Sequence, residues 1–337
     1  MISISNKLFL LFIVVATLGF GGCQERSKSS MPVKKAEVKK AEVKTAPQKR
    51  IVYTSSIRDI EQLFEDINYS MKRWNDGERE IPRIYIMDIS PRWQKQSQKM
   101  DVKLKKAIFF QLTLPLVLHA NELILQERKR LLSCLGRHDH LGDEESRWLM
   151  DIAKKYKVVK KESNETLSSE KLNMLKRRVN VISPSLALAQ AAEESGWGTS
   201  RFAILGNSLF GQWAFSKSAM RPKQQRSELG DYGLARFKTP QDAVNAYMLN
   251  LNTHRAYKKM RTYRARLIKE GKRVSGYELA RMLDKYSERG QEYVDSLHAM
   301  MRINHLGDTD DAYLWSRGDI LMIPLKKAKA AKEAKAI

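Results

Sequence analysis

Apolar positions along the chain fall mostly into helical spacing. In IRDIEQLFEDINY, Ile57, Ile60, Phe64 and Ile67 recur every three or four residues, the period of an amphipathic helix. From Leu104 to Leu135 nearly every turn carries an apolar side chain. Pro115 inside that run predicts a kink or break, since proline has no N–H to donate and its ring crowds the preceding turn. After the polar stretch Gly136–Asp143, ESRWLMDIAKKYKV predicts another helix. IPRIYIMDIS, bounded by Pro82 and Pro91, reads as a short β-like run. Ser183 and Pro184 supply an N-cap and a first helical position. The residues that follow, Leu186 to Ala192, are small or apolar apart from Gln190, so this helix can be buried on most sides.

These patterns predict a mainly α protein. Residues 51–175 read as a helical extension with no catalytic arrangement, residues 176–306 carry the chemistry, and 307–337 form a C-terminal segment. That segment ends in a basic, low-complexity tail from Lys326. Residues 24–50, with the imperfect repeat PVKKAEVKKAEVKTAPQKR, predict a disordered tether, because such a composition cannot bury enough apolar area to order itself. Hydrophobic residues, 42% of the chain, suffice for a core elsewhere.

Charge narrows the function classes. A net charge of +23 predicts attraction to a polyanion or an anionic surface. The first residues bear on which. Lys7 precedes an apolar run from Leu8 to Phe20, then Gly21, Gly22 and Cys23. A basic start, a short apolar stretch and small residues at its end read as an export signal, which argues against nucleic acid. The run is shorter than the roughly 17–25 residues of a bilayer span. Its ending resembles a bacterial lipoprotein signal over residues 1–23, with Cys23 lipidated, although Phe20 stands where an aliphatic residue is usual. By the same resemblance, Gln24 predicts a periplasmic protein anchored in the outer membrane. Cys134 then has no disulfide partner and reads as a buried small hydrophobe. His138 and His140 are two apart in a polar stretch, and no cysteine–histidine spacing suits a metal.

The candidate chemistry lies at Glu193-Glu194-Ser195-Gly196-Trp197-Gly198. Gly196 is a natural helix stop, so Glu194 falls in the last turn of a buried helix beside a tryptophan. The negative helix end and partial burial both disfavour an ionised carboxylate. A glycosidase acid needs that raised pKa, to hold a proton near neutral pH and deliver it to a leaving oxygen. The residues by themselves also allow a surface Glu pair that merely ends a structural helix.

SPSLALAQAAEESGWGTSRFA, followed by GNSLFGQW, resembles the active-site segment of the family 73 glycoside hydrolases, and more narrowly the Bax-type glucosaminidases. AYMLNLNTHRAYKKMR and LARMLDKYSERGQEYVDSL add to the likeness, which is strong over about residues 178–304 and weaker from about residue 81. The resemblance implies a lysozyme-like catalytic domain with a small β-hairpin lobe. It implies hydrolysis of the β-1,4 bond after N-acetylglucosamine in peptidoglycan glycan strands, with no metal and no organic cofactor. Glu194 matches the family's general acid. Asn207-Ser208-Leu209-Phe210-Gly211 stands where the family commonly has N-N-L-F-G, so Ser208 departs from it.

The resemblance also implies a second carboxylate in SELGDYGLARFKT, with Glu228 favoured over Asp231. Both also read as turn residues, and assistance by a substrate acetamido group would make neither essential. Gln190, Trp197, Asn207, Phe210, Asp231, Tyr232, Tyr286 and Tyr293 are the expected substrate contacts, with Tyr293 preferred to Tyr286 as the tyrosine beside the acid. Trp213 and Phe237 are further aromatic candidates, because sugar faces stack on such rings; core packing is the competing reading for these aromatics. The rival functions are a lytic transglycosylase and a non-catalytic wall-binding protein.

Overall fold

The computed structural model describes residues 49–137, 140–163, 165–214, 218–222 and 232–325. In chain order the elements are β1 (Arg50–Thr54), α1 (Ile57–Asp66), α2 (Met71–Asn75), β2 (Glu80–Ile81), β3 (Ile84–Ile86), α3 (Pro91–Ser97), α4 (Val102–Gly136), α5 (Asp143–Lys155) and α6 (Ser169–Arg178). There follow α7 (Pro184–Ser195), α8 (Arg201–Gly206), β4 (Trp213–Ala214), β5 (Gly233–Leu234), α9 (Pro240–Thr253), α10 (Lys258–Lys269), α11 (Gly276–Ala280), α12 (Gln291–Ile303), β6 (Tyr313–Leu314) and β7 (Ile320–Pro324). The protein is mainly helical, as its periodicity predicts. Calls that fall on Cys23, residues 24–48 of the tether, Glu228, Asp231 and the tail from Lys326 lie outside the described residues, whereas Arg50, placed at the end of the tether, begins β1.

Local chemistry explains most helix starts. Ser56 caps α1 in a reciprocal box with Asp59, and Asp101 accepts from the amides of Lys103 and Leu104 at the start of α4. These bonds satisfy donors that a helix cannot satisfy internally. Of the predicted kink or break at Pro115, the break does not occur, because α4 continues through it for 35 residues. Proline leaves the carbonyl of Gln111 without its helical donor. Tyr69 Oη supplies one at 3.3 Å, and Gln111 Nε2 donates back to Tyr69 O at 3.0 Å. A reciprocal tertiary clamp thus replaces the missing bond. α4 is long and apolar enough to cross a membrane, yet its apolar residues from Ile108 to Ile124 are largely buried in the main core.

One core runs through segments that the sequence separates. It joins Leu63 and Phe64 of α1, Ile108 to Ile124 of α4, Leu186 to Ala192 of α7, Tyr247 and Leu251 of α9, Leu297 of α12 and Met322 of β7. A smaller cluster gathers Leu131 with Ile152, Tyr156 and Leu175, tying the far end of α4 to α5 and α6. Cys134 is buried, and burial pushes its thiol up.

The strands are the main departure from expectation. β7 is the central strand of a three-stranded parallel sheet, paired with β1 from Arg50↔Ile320 to Thr54↔Pro324 and with β3 from Ile84↔Ile320 to Ile86↔Met322. β2 pairs parallel with β6. The segment after residue 306 therefore closes a sheet begun at the head of the described chain. The β-like run at 81–90 becomes β2 and β3, and β4 and β5 form a short antiparallel pair where a hairpin lobe is expected.

Arginines of α10 fasten the approach to α7. Arg264, only 1% exposed, donates to Arg177 O at 3.0 Å, Val181 O at 2.7 Å and Asn252 Oδ1 at 2.8 Å. Burial lowers its pKa to about 9. The guanidinium sits against backbone carbonyls at the end of α6, where a helix attracts cations.

Candidate active site

α7 positions Glu194, and its two ends are built differently. Ser183 does stand at the N-cap position with Pro184 after it, but its side chain makes no cap bond within its own helix. Ser183 Oγ instead donates to Asp310 Oδ1 at 2.6 Å. Asp310, in the 3₁₀ turn Leu306–Asp311, accepts the Ser185 amide at 2.8 Å, the Ser185 hydroxyl at 2.9 Å and the Gly276 amide at 3.2 Å. The helix start is thus capped from more than a hundred residues away. Gly276 permits this approach, since a Cβ there would lie 2.2 Å from Ser185 Oγ and 2.7 Å from Leu186 N.

At the other end Gly196 turns the chain left-handed at φ +56°, and Trp197 follows at φ +62°. Ser195 Oγ donates to Ala191 O at 2.5 Å and accepts the Gly198 amide at 2.8 Å, which holds the turn. For Trp197, the competing reading of core packing finds support in its contacts. Its ring packs edge-on against Phe109 (5.7 Å) and Phe110 (5.3 Å) of α4, Lys106 lies over it, and its carbonyl accepts Trp93 Nε1 at 2.9 Å. The tryptophan beside the acid therefore braces the turn against α4.

Glu194 is half-buried. Burial raises its pKa, and the neighbouring charge of Glu193 acts the same way. A hydrogen bond from Tyr293 and the nearby Arg289 act in the opposite sense. Arg289 Nη2 sits 2.7 Å from Glu193 Oε1, and its guanidinium lies over the Tyr293 ring. Glu193 thus holds the arginine at the rim, and Glu194 feels its charge from a greater distance. The carboxyl also meets the backbone of the N-S-L-F-G segment, because a Cβ on Gly211 would stand 3.5 Å from Glu194 Oε2.

The remaining expected contacts separate into two groups. Gln190, Phe210 and Tyr293 are 0–1% exposed and Asn207 is 5% exposed. Such side chains shape the site from behind its surface. Asn207 adopts the left-handed conformation that ends α8, accepts the Ile89 amide at 2.9 Å and donates to Lys238 O at 3.1 Å. It pins the segment leading from β5 to the loop before α3. Phe210 stacks on Tyr247 at 3.9 Å, and its carbonyl accepts Tyr286 Oη at 3.3 Å. Ser208, where the family motif differs, is 2% exposed, and its hydroxyl has no hydrogen-bond partner among the described residues.

The second group is mixed: Tyr232 is buried, Tyr286 and Phe237 are half-buried, and only Trp213 is well exposed. Trp213 of β4 is 53% exposed and stacks on Tyr232 at 5.1 Å, offering an aromatic face on the short hairpin. Tyr286 is half-buried and stacks parallel to Tyr293 at 5.4 Å. Phe237 is half-buried beside Asn207.

Sequence reading missed Tyr247, Arg289, Asp310 and Gly276. Tyr247 sits in an apolar helical run whose pattern marks it as core. Asp310 lies in a polar stretch, DTDD, that carries no local signal. Among the described residues no group of three or more His, Cys, Asp or Glu side chains is placed to hold a metal ion.

Comparison with known proteins bears on the whole segment. Residues 170–306 match the glucosaminidase family model, described as mannosyl-glycoprotein endo-beta-N-acetylglucosaminidase. Protein bax of Escherichia coli strain K12 is 35% identical over 200 residues, which covers 59% of this chain and 70% of that protein. The catalytic domain of the autolysin Auto from Listeria monocytogenes overlaps 50% of this chain and 84% of its own length, at 19% identity and a TM-score of 0.30. With the E-S-G-W-G helix end and the N-S-L-F-G segment meeting at one carboxyl, the chain belongs to the Bax-type glucosaminidases, a family of glycoside hydrolases.

Proposed function

We propose that the protein hydrolyses the β-1,4 bond after N-acetylglucosamine in peptidoglycan, with Glu194 as general acid. The observation that carries this is the setting of Glu194: a half-buried carboxyl at a helix C-terminus, raised in pKa by burial and hydrogen-bonded by a buried phenol. A raised pKa favours the protonated form, from which such a group gives its proton to the glycosidic oxygen. The carboxylate left behind is then met by the Tyr293 hydroxyl and the Arg289 charge, so proton transfer becomes easier as it proceeds. Trp213 offers a flat apolar face for a sugar ring. Glu228, with Asp231 as its substitute, is the proposed base that activates water. The export signal and Cys23 would bring the chain to the cell envelope, where this substrate is found.

The test is Glu194→Gln on purified peptidoglycan. The variant should keep the fold and lose about 10²–10⁴-fold in turnover, the scale of general acid catalysis. Mass spectrometry of wild-type products should show reducing-end N-acetylglucosamine. Anhydro-muramic ends would turn the reading to a lytic transglycosylase, and full activity of a folded Glu194→Gln variant would remove Glu194 from the chemistry.

A further inference from the structure

Behind Glu194 lies a polar chain inside an otherwise apolar core. Tyr247 Oη of α9 donates to Gln190 Oε1 at 2.6 Å, and Gln190 Nε2 donates to Tyr293 Oη at 2.9 Å. Tyr293 in turn stands against the Glu194 carboxyl, near enough to bias its proton. Tyr247, Gln190 and Tyr293 are all 0% exposed. Gln190 and Glu194 stand four residues apart on α7, so they share one helix face.

The order of donors matters because each phenol has one proton. Tyr247 finds its acceptor in Gln190 Oε1, which fixes the amide with its NH₂ toward Tyr293. Tyr293 then accepts from the amide and has its own proton left for Glu194. If the amide were reversed, Gln190 Oε1 would face Tyr293 and compete for that proton. The buried Tyr247 hydroxyl would then lose its acceptor, which costs about 1–3 kcal/mol. The observed direction is therefore the one the core enforces.

We propose that Gln190 and Tyr247 are positioning residues, which act through Tyr293 to keep its proton aimed at Glu194 in every turnover. Neither touches the reacting atoms. This inference rests on the reading of Glu194 as general acid. A donor locked on the carboxyl favours its ionised form, opposing the burial that favours the protonated form. The chain thus sets how readily Glu194 releases its proton. The other described groups that Glu194 senses are Glu193 on α7, Arg289 before α12, Tyr286 after α11 and Tyr257 after α9.

Tyr247→Phe tests the idea. It deletes one oxygen from a ring stacked on Phe210 and frees the amide to reverse. The Tyr293 proton then turns toward Gln190, and Glu194 loses its donor. Turnover should fall about tenfold, the worth of one charge-assisted hydrogen bond. The alkaline limb of the pH–rate profile should move to higher pH, because an acid that loses a donor to its anion holds its proton longer. Gln190→Met, which keeps the volume and removes the amide, leaves the Tyr293 proton no competing acceptor and should not move the limb. Lost packing would lower the rate without moving the limb. A folded Tyr247→Phe variant with an unmoved limb, or a folded Gln190→Met variant whose limb moves as far, overturns the proposal, while inactivity of Glu194→Gln stands apart as the test of the acid itself.

Discussion

The two ends of α7 each meet a carboxyl group, with opposite consequences. At the N-terminus Asp310 faces the positive end of the helix and accepts four hydrogen bonds from Ser183, Ser185 and Gly276. At the C-terminus Glu194 faces the negative end, is partly desolvated, and receives its hydrogen bond from Tyr293. A helix dipole and orphan amides welcome an anion at the first position and resist it at the second. One end therefore contributes stability, and the other favours the protonated form of its carboxyl, as the proposed general acid requires. The same helix can do both because its middle, from Leu186 to Ala192, is wholly apolar or small apart from Gln190 and is fully buried. The rigid end keeps the reactive end in place.

The contrast can be broken at either end. Asp310→Ala should have the largest effect on the fold. It strips several charge-assisted hydrogen bonds from a buried helix start and should lower unfolding free energy by about 3 kcal/mol, read by denaturant titration. The folded fraction should still cleave glycan at near wild-type turnover; a stable Asp310→Ala protein would mean that water replaces the cap at no cost. Gly276→Ala comes next, at about 2 kcal/mol by the same measurement, because its methyl would meet the backbone amide of Leu186 as well as Ser185. Wild-type stability there would show that α11 can move away from α7 freely.

The smallest expected effect has the opposite sign and sharpens the comparison. Glu194 has a folded-state pKa above its unfolded value. Between the two values the native state binds more protons than the unfolded chain, so this group's contribution falls as pH rises. It is favourable relative to higher pH only below about pH 4.3, the unfolded value. Glu194→Gln should accordingly melt slightly higher than wild type at neutral pH, and the gap should close toward pH 4. A Gln variant less stable than wild type at pH 7 would show that the carboxylate is welcome where it stands. Activity at one end of the helix would then carry no stability penalty.

Much of this arrangement is legible along the chain. The 3.6-residue period marks α1, α4, α5 and α7, and Gly196 marks where α7 ends. The motif residues Glu194, Asn207, Phe210 and Gly211 indicate which segments meet. Pro115 shows where local reasoning stops. The residue predicts a break, and a tyrosine 46 residues earlier prevents it by satisfying the abandoned carbonyl. Ser183 is similar: its type and position announce a cap, while its hydroxyl is taken up by Asp310.

What the sequence by itself determined is therefore the set of helices, the place of Glu194 at a helix end and membership of a glycoside hydrolase family. Those follow from periodicity, from glycine's tolerance of positive φ and from a motif confined to neighbouring residues. Tertiary structure decided which polar side chain serves which. It turned Trp197 and Asn207 into braces, drew Gln190 and Tyr247 into one buried hydrogen-bond chain, and paired β7 with strands more than two hundred residues away. The physical reason is that a buried polar group must find a partner, and a partner is chosen by proximity in the folded core, which no spacing along the chain records.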